Sequence, residues 1–117
     1  METSGPGWII DRMAVEPDRA TVLADIRTLA AEPAPRLEEV ERTLTDGYAH
    51  ALRLEAQRLR LQRELERSAL VLSDGSGGAD EVAGLARGVA ATDGELAELR
   101  AALALLKETA QRIRSAA

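Results

Sequence analysis

Between Val82 and Ile113 the apolar residues recur by alternating steps of three and four: Val82, Leu85, Val89, Leu96, Leu99, Leu103, Leu106, Ala110 and Ile113, with Thr92 the one polar member of the series. That spacing keeps one side of an α-helix apolar along its whole length, and such a side has to be buried against another helix. The chain supplies the partner itself. From Leu37 the same stepping reaches Val40, Leu44, Gly47, Ala51, Leu54, Arg58, Leu61, Leu65, Ser68 and Leu72, a seam interrupted at Gly47, Arg58 and Ser68. Between the two lies SDGSGGAD, Ser73 to Asp80, with three glycines and no apolar residue larger than Ala79, which reads as a turn. Segments 36–72 and 80–116 are equal in length, 37 residues each, so both helices would reach about 55 Å. The sequence therefore predicts an all-α fold built on an antiparallel two-helix coiled-coil hairpin.

Breakers organise what precedes it. Gly5, Pro6 and Gly7 lead into Trp8-Ile9-Ile10, too short a run to stand alone as a strand, and residues 1–16 are expected to be irregular. A short helix is expected over about 17–31, opened by Pro17 and Asp18, with Val22, Ile26 and Leu29 on one face and Pro33 and Pro35 closing it. Residues 17–117 then form a single helical domain, either a three-helix arrangement or half of a dimeric four-helix bundle. Asp80 is the expected N-cap of the last helix, and the run Thr92-Asp93-Gly94 could break that helix in two.

Composition narrows the function. One Trp, one Tyr and no Phe leave little with which to line a deep pocket, and the lack of cysteine excludes disulfide and thiolate chemistry. His50 is the only histidine, which argues against a metal site and against a nucleophile–base pair, so no catalytic residue, cofactor or metal is expected. A net charge of −5 opposes general binding to nucleic acid, and no stretch approaches the ~18 apolar residues of a membrane helix. The arginines near the turn, Arg58, Arg60, Arg63 and Arg67, are diluted by Glu64 and Glu66 and carry no interleaved aromatic. A cytoplasmic, soluble, non-enzymatic protein is the expectation.

Asp46, His50, Arg53 and Gln57, spaced four, three and four residues apart, lie along one stripe of the second helix. An arginine flanked by hydrogen-bonding groups is a grip for a phosphate, although a solvated flank is the simpler account of the same pattern. The spacing resembles the E-x3-S-x2-R-x3-Q-x3-D signature of the RsiG family of anti-sigma factors, helical coiled-coil proteins that bind a cyclic dinucleotide. Arg53 and Gln57 match it and Asp46 is a conservative replacement, while His50 and Leu61 stand where the family has Ser and Asp. The resemblance covers sixteen residues and implies a small-ligand or nucleotide-responsive regulator as the alternative function.

Tyr48, Leu52 and Leu59 form a second apolar flank off the seam, which a bare hairpin would leave wet. Cover is expected from the first helix or from Trp8-Ile9-Ile10, failing which from another chain. A protein–protein interaction module, acting as adaptor, assembly factor or regulator, is the leading expectation. Trp8, Tyr48, Leu52 and Leu59 would face a protein partner or a second copy.

Overall fold

The computed structural model describes residues 19–73, 75 and 78–117. They form three helices, α1 (Arg19–Ala31), α2 (Leu37–Ser73) and α3 (Ala79–Ala116), and no strand occurs among the described residues. Residues 1–16, Pro17 and Asp18 lie outside them.

The two long helices are an antiparallel hairpin, as the paired seams require. Val40, Leu44, Ala51 and Leu54 of α2 are buried against Leu96, Leu99, Leu103, Leu106 and Ala110 of α3. Glu41 meets Arg114 at one end of the pair, Glu55 meets Arg100 in the middle, and Arg58 meets Asp93 further along, which marks the register of the two helices. Two interruptions of the seam have structural reasons. Gly47 sits where a Cβ would come within 2.5 Å of Leu103 Cδ2 and 3.1 Å of Ile26 Cδ1, so three helices meet at a residue without a side chain. Arg58 meets the seam half-buried and turns its guanidinium to the carboxylate of Asp93.

The helix ends follow local chemistry. Glu38 and Glu39 lie in the first turn of α2, where carboxylates complement the positive end of the helix, and Glu38 also pairs with Arg42 at 3.8 Å one turn on. Gly75 closes the hairpin turn with φ +84, a left-handed conformation that glycine adopts without a Cβ clash, and its amide donates to Leu72 O at 2.9 Å. Asp80 is not the N-cap. Gly78 holds that position, extended at φ −110 and ψ 94 and without a side-chain cap, because the ladder already starts with Val82 N donating to Gly78 O at 3.1 Å. Asp80 and Glu81 instead occupy the first turn, again at the positive end.

Helix α3 runs through Thr92-Asp93-Gly94 without a break. The buried Thr92 hydroxyl donates to Gly88 O at 2.9 Å inside the helix, and Asp93 is engaged by Arg58, so neither side chain caps a new helix. Tertiary contacts outweigh the local stop signal.

Helix α1 lies across the base of the hairpin, touching both long helices. At 13 residues it is too short to persist alone, and its stability comes from burying Val22, Leu23, Ile26 and Leu29. Ile26 is fully buried, which contributes about 1.5–3 kcal/mol on its own. The molecule is therefore unequal along its length. At the base three helices share a sealed core; beyond Arg58, Leu61, Leu65, Val82, Leu85 and Val89 are only half-buried, and Leu70, Val71 and Leu72 near the turn are exposed. No helix among the described residues is long and apolar enough to cross a membrane.

Candidate functional site

A two-helix hairpin has two lateral flanks, and the sequence treats them differently. On one flank Gly47 and His50 of α2 face Ala102 and Thr109 of α3, and all four are buried. Small side chains let a third helix approach closely, and α1 takes this side, tied at its edge by Arg27 to Glu98 at 3.7 Å. The Thr109 hydroxyl donates to Leu105 O at 3.3 Å and accepts from Arg112 Nη2 at 3.2 Å, which satisfies it beneath the cover.

The other flank carries Tyr48, Leu52 and Leu59, and α1 does not cover them: they are 45%, 66% and 47% exposed. This corrects the expectation that the first helix shields them; Trp8-Ile9-Ile10 lies outside the described residues. The physical reason is the charge pattern of that side. Glu41 with Arg114 at 2.5 Å and Glu55 with Arg100 form a ladder across the helix pair, and laying a helix over it would desolvate both ion pairs.

Between those rungs the flank opens into an apolar recess of about 430 Å³ lined by Tyr48, Ala51, Leu52, Leu103 and Ala104, with the Glu55–Arg100 pair at one edge and Lys107 at the other. Past that pair a second shallow recess is lined by Leu59 and Leu96 and bounded by Arg58 and Asp93. Together they make a groove along one side of the hairpin, greasy at its floor and charged at its rims. Lys107 is the exception in the ladder. It shares the recess with Tyr48, and among the described residues no carboxylate lies within ion-pair distance of it.

The polar stripe of α2 divides. His50 is buried under the α1 flank rather than solvated, and its Nδ1 accepts from Arg53 Nη2 at 3.2 Å. Asp46, Arg53 and Gln57 are exposed. His50, Arg53, Gln57 and Arg60 line one shallow depression in which Asp46 has no part. Sequence reasoning did not place Lys107 and Ala104 in a recess, and it grouped Arg60 with the arginines near the turn rather than with His50 and Arg53; the signal available for Lys107 was its being the only lysine, at the position where the ladder of opposite charges skips a rung. Among the described residues no group of three or more His, Asp or Glu is placed to hold a metal ion.

No family model matches the chain, and no curated protein or solved structure matches it either.

Proposed function

We propose that this protein is a non-catalytic interaction module, an adaptor, assembly factor or regulator, that receives an amphipathic helix of a protein partner in the groove at Tyr48 and Leu52. The observation that carries the reading is the asymmetry of the flanks. The same hairpin binds helix α1 in one lateral groove through four apolar side chains and leaves the other lateral groove open, apolar and rimmed by charge. Helix-in-groove recognition uses such a surface, with apolar anchors for affinity and rim charges for orientation. The partner that fits presents an apolar side chain to the recess and a carboxylate to Lys107.

The test is purification from the native host under mild conditions, followed by mass measurement, of the wild-type chain and of Leu52→Asp. The expected result is a complex heavier than the 12.5 kDa chain that the variant loses while its melting temperature is unchanged. A complex of twice the chain mass identifies a second copy as the occupant. Retention of the complex by Leu52→Asp, or no complex at all, overturns the reading.

A second reading, a nucleotide-responsive regulator, draws on the depression at His50, Arg53, Gln57 and Arg60, where two guanidinium groups border a recess. A nucleotide that raises the melting temperature of the wild type and not of Arg53→Ala would support it; no shift with any nucleotide removes it.

A further inference from the structure

We infer that the occupant of the Tyr48 groove is helix α2 of a second copy of this chain, laid antiparallel about a two-fold axis at Leu59. The inference rests on the function proposed above and names its partner. A two-fold interface has to be its own complement, and the exposed ridge of α2 is. At 3.6 residues per turn Leu70, 68% exposed, falls on the same stripe of α2 as Tyr48, Leu52 and Leu59. Tyr48 stands eleven residues before Leu59 and Leu70 eleven after it; Glu55 stands four before and Arg63 four after; Leu52 stands seven before and Glu66 seven after. Turning a second α2 end over end about Leu59 therefore sets Tyr48 on Leu70, Leu59 on Leu59, and Glu55 level with Arg63 of the other copy.

The remaining pair accounts for Lys107. Glu66 of the second copy comes level with Leu52, and Leu70 with Tyr48, the two residues that share a recess with Lys107. The recess then receives an apolar side chain and Lys107 a carboxylate, neither of which its own hairpin supplies. Glu66 is exposed and accepts a hydrogen bond from Gln62 Nε2 at 3.3 Å, and among the described residues no cation pairs with it. Within one chain it cannot reach Lys107, because it lies eighteen residues beyond Tyr48, ~27 Å along the hairpin.

The size is adequate. Tyr48 to Leu70 spans ~33 Å of helix, and hairpins stacked face to face meet over a width of two helices, about 20 Å, so each copy covers on the order of 650 Å². Both faces together exceed the ~1,000 Å² that a specific interface needs. Helix α1 takes the opposite flank, so neither copy of it obstructs the pairing. The overlap stops short of Glu41–Arg114, and Glu55, already paired with Arg100, gains Arg63 of the other copy as a second cation, which offsets the cost of covering it.

Sedimentation equilibrium of the purified full chain over a range of concentrations is the test. The expected result is a reversible dimer of twice the 12.5 kDa chain mass. Leu70→Asp should raise its dissociation constant about tenfold or more, whereas Leu105→Asp, exposed on another face of α3, should leave it unchanged. Lys107→Glu should also weaken the dimer, and the added Glu66→Lys should restore it, which only contact between two copies can do. Circular dichroism of each variant checks that the helices persist. A monomer at every concentration, a dimer indifferent to Leu70→Asp, or a charge swap that fails to restore association overturns the inference. A chain that is monomeric when pure, yet brings from the host a partner that Leu52→Asp loses, overturns this inference and leaves the proposed function standing. A dimer indifferent to Leu52→Asp overturns both.

Discussion

Replacing Gly47 by alanine sets two effects against each other at one residue. In a helix interior alanine is favoured over glycine by about 1 kcal/mol. At Gly47, however, the added methyl would approach Leu103 Cδ2 to 2.5 Å and Ile26 Cδ1 to 3.1 Å, and both neighbours are almost fully buried, at 2% and 0% exposure. Neither can swing into solvent, so the methyl must push α1 outward or force a rotamer, at about 1–3 kcal/mol. The expected net change is destabilisation by about 1 kcal/mol. Gly94 is the internal control: it lies in the same kind of helix interior, is exposed, and a Cβ there would meet nothing within 4 Å. Gly94→Ala should therefore stabilise by about 1 kcal/mol. Thermal and urea unfolding followed by circular dichroism would separate the two variants by roughly 8 °C in melting temperature. If Gly47→Ala stabilises as much as Gly94→Ala, then α1 does not pack Ile26 against Gly47.

Leu106, fully buried at the three-helix base, should cost about 3 kcal/mol when cut to alanine, against about 1 kcal/mol for the half-buried Leu85; equal costs in urea unfolding would deny the inequality of the two ends. Arg58→Leu should raise the urea midpoint, since a leucine extends the seam and the lost pair with Asp93 is partly exposed and worth less than about 1 kcal/mol. If Arg58 also fixes register, the same variant should show additional oligomers in sedimentation; a single unchanged species would remove that role. Amide hydrogen exchange should be slowest at 96–110 and 40–54 and fastest toward Ser73 and Ala79, and uniform protection along the hairpin would contradict a core confined to its base.

Much of this architecture was legible because a seam is a periodic signal. The series from Leu37 to Leu72 and from Val82 to Ile113 specified both long helices, their pairing and their near-equal length, and the three glycines between Ser73 and Asp80 marked the turn, where Gly75 takes the left-handed conformation. The flank taken by α1 was not legible. Periodicity reports where apolar residues are, and it directed attention to Tyr48, Leu52 and Leu59; α1 instead follows the absence of bulk at Gly47, Ala102 and Thr109, which carries no periodic signal. For the same reason His50 read as part of a solvated stripe, although it is buried on the flank that α1 takes. Thr92-Asp93-Gly94 read as a stop because hydroxyl, carboxylate and glycine are the usual materials of a cap, yet each is otherwise engaged or harmless in a helix already held by Leu96 and Leu99. The recess at Lys107 depends on which rungs of a cross-helix ladder are filled, a property of register that appears only when both helices are placed together.

The central claim is that α1 closes the His50 flank and leaves the Tyr48 flank open. Pulsed dipolar spectroscopy of nitroxide pairs on this cysteine-free chain tests it most directly, with one label at Arg27 and the other at Glu98 or Arg100, two neighbours of α3 that point to opposite flanks. The expected result is a shorter distance to Glu98, by about 10 Å, the breadth of a helix. An equal or shorter distance to Arg100 would place α1 on the wrong side of the hairpin and close the groove on which the function rests.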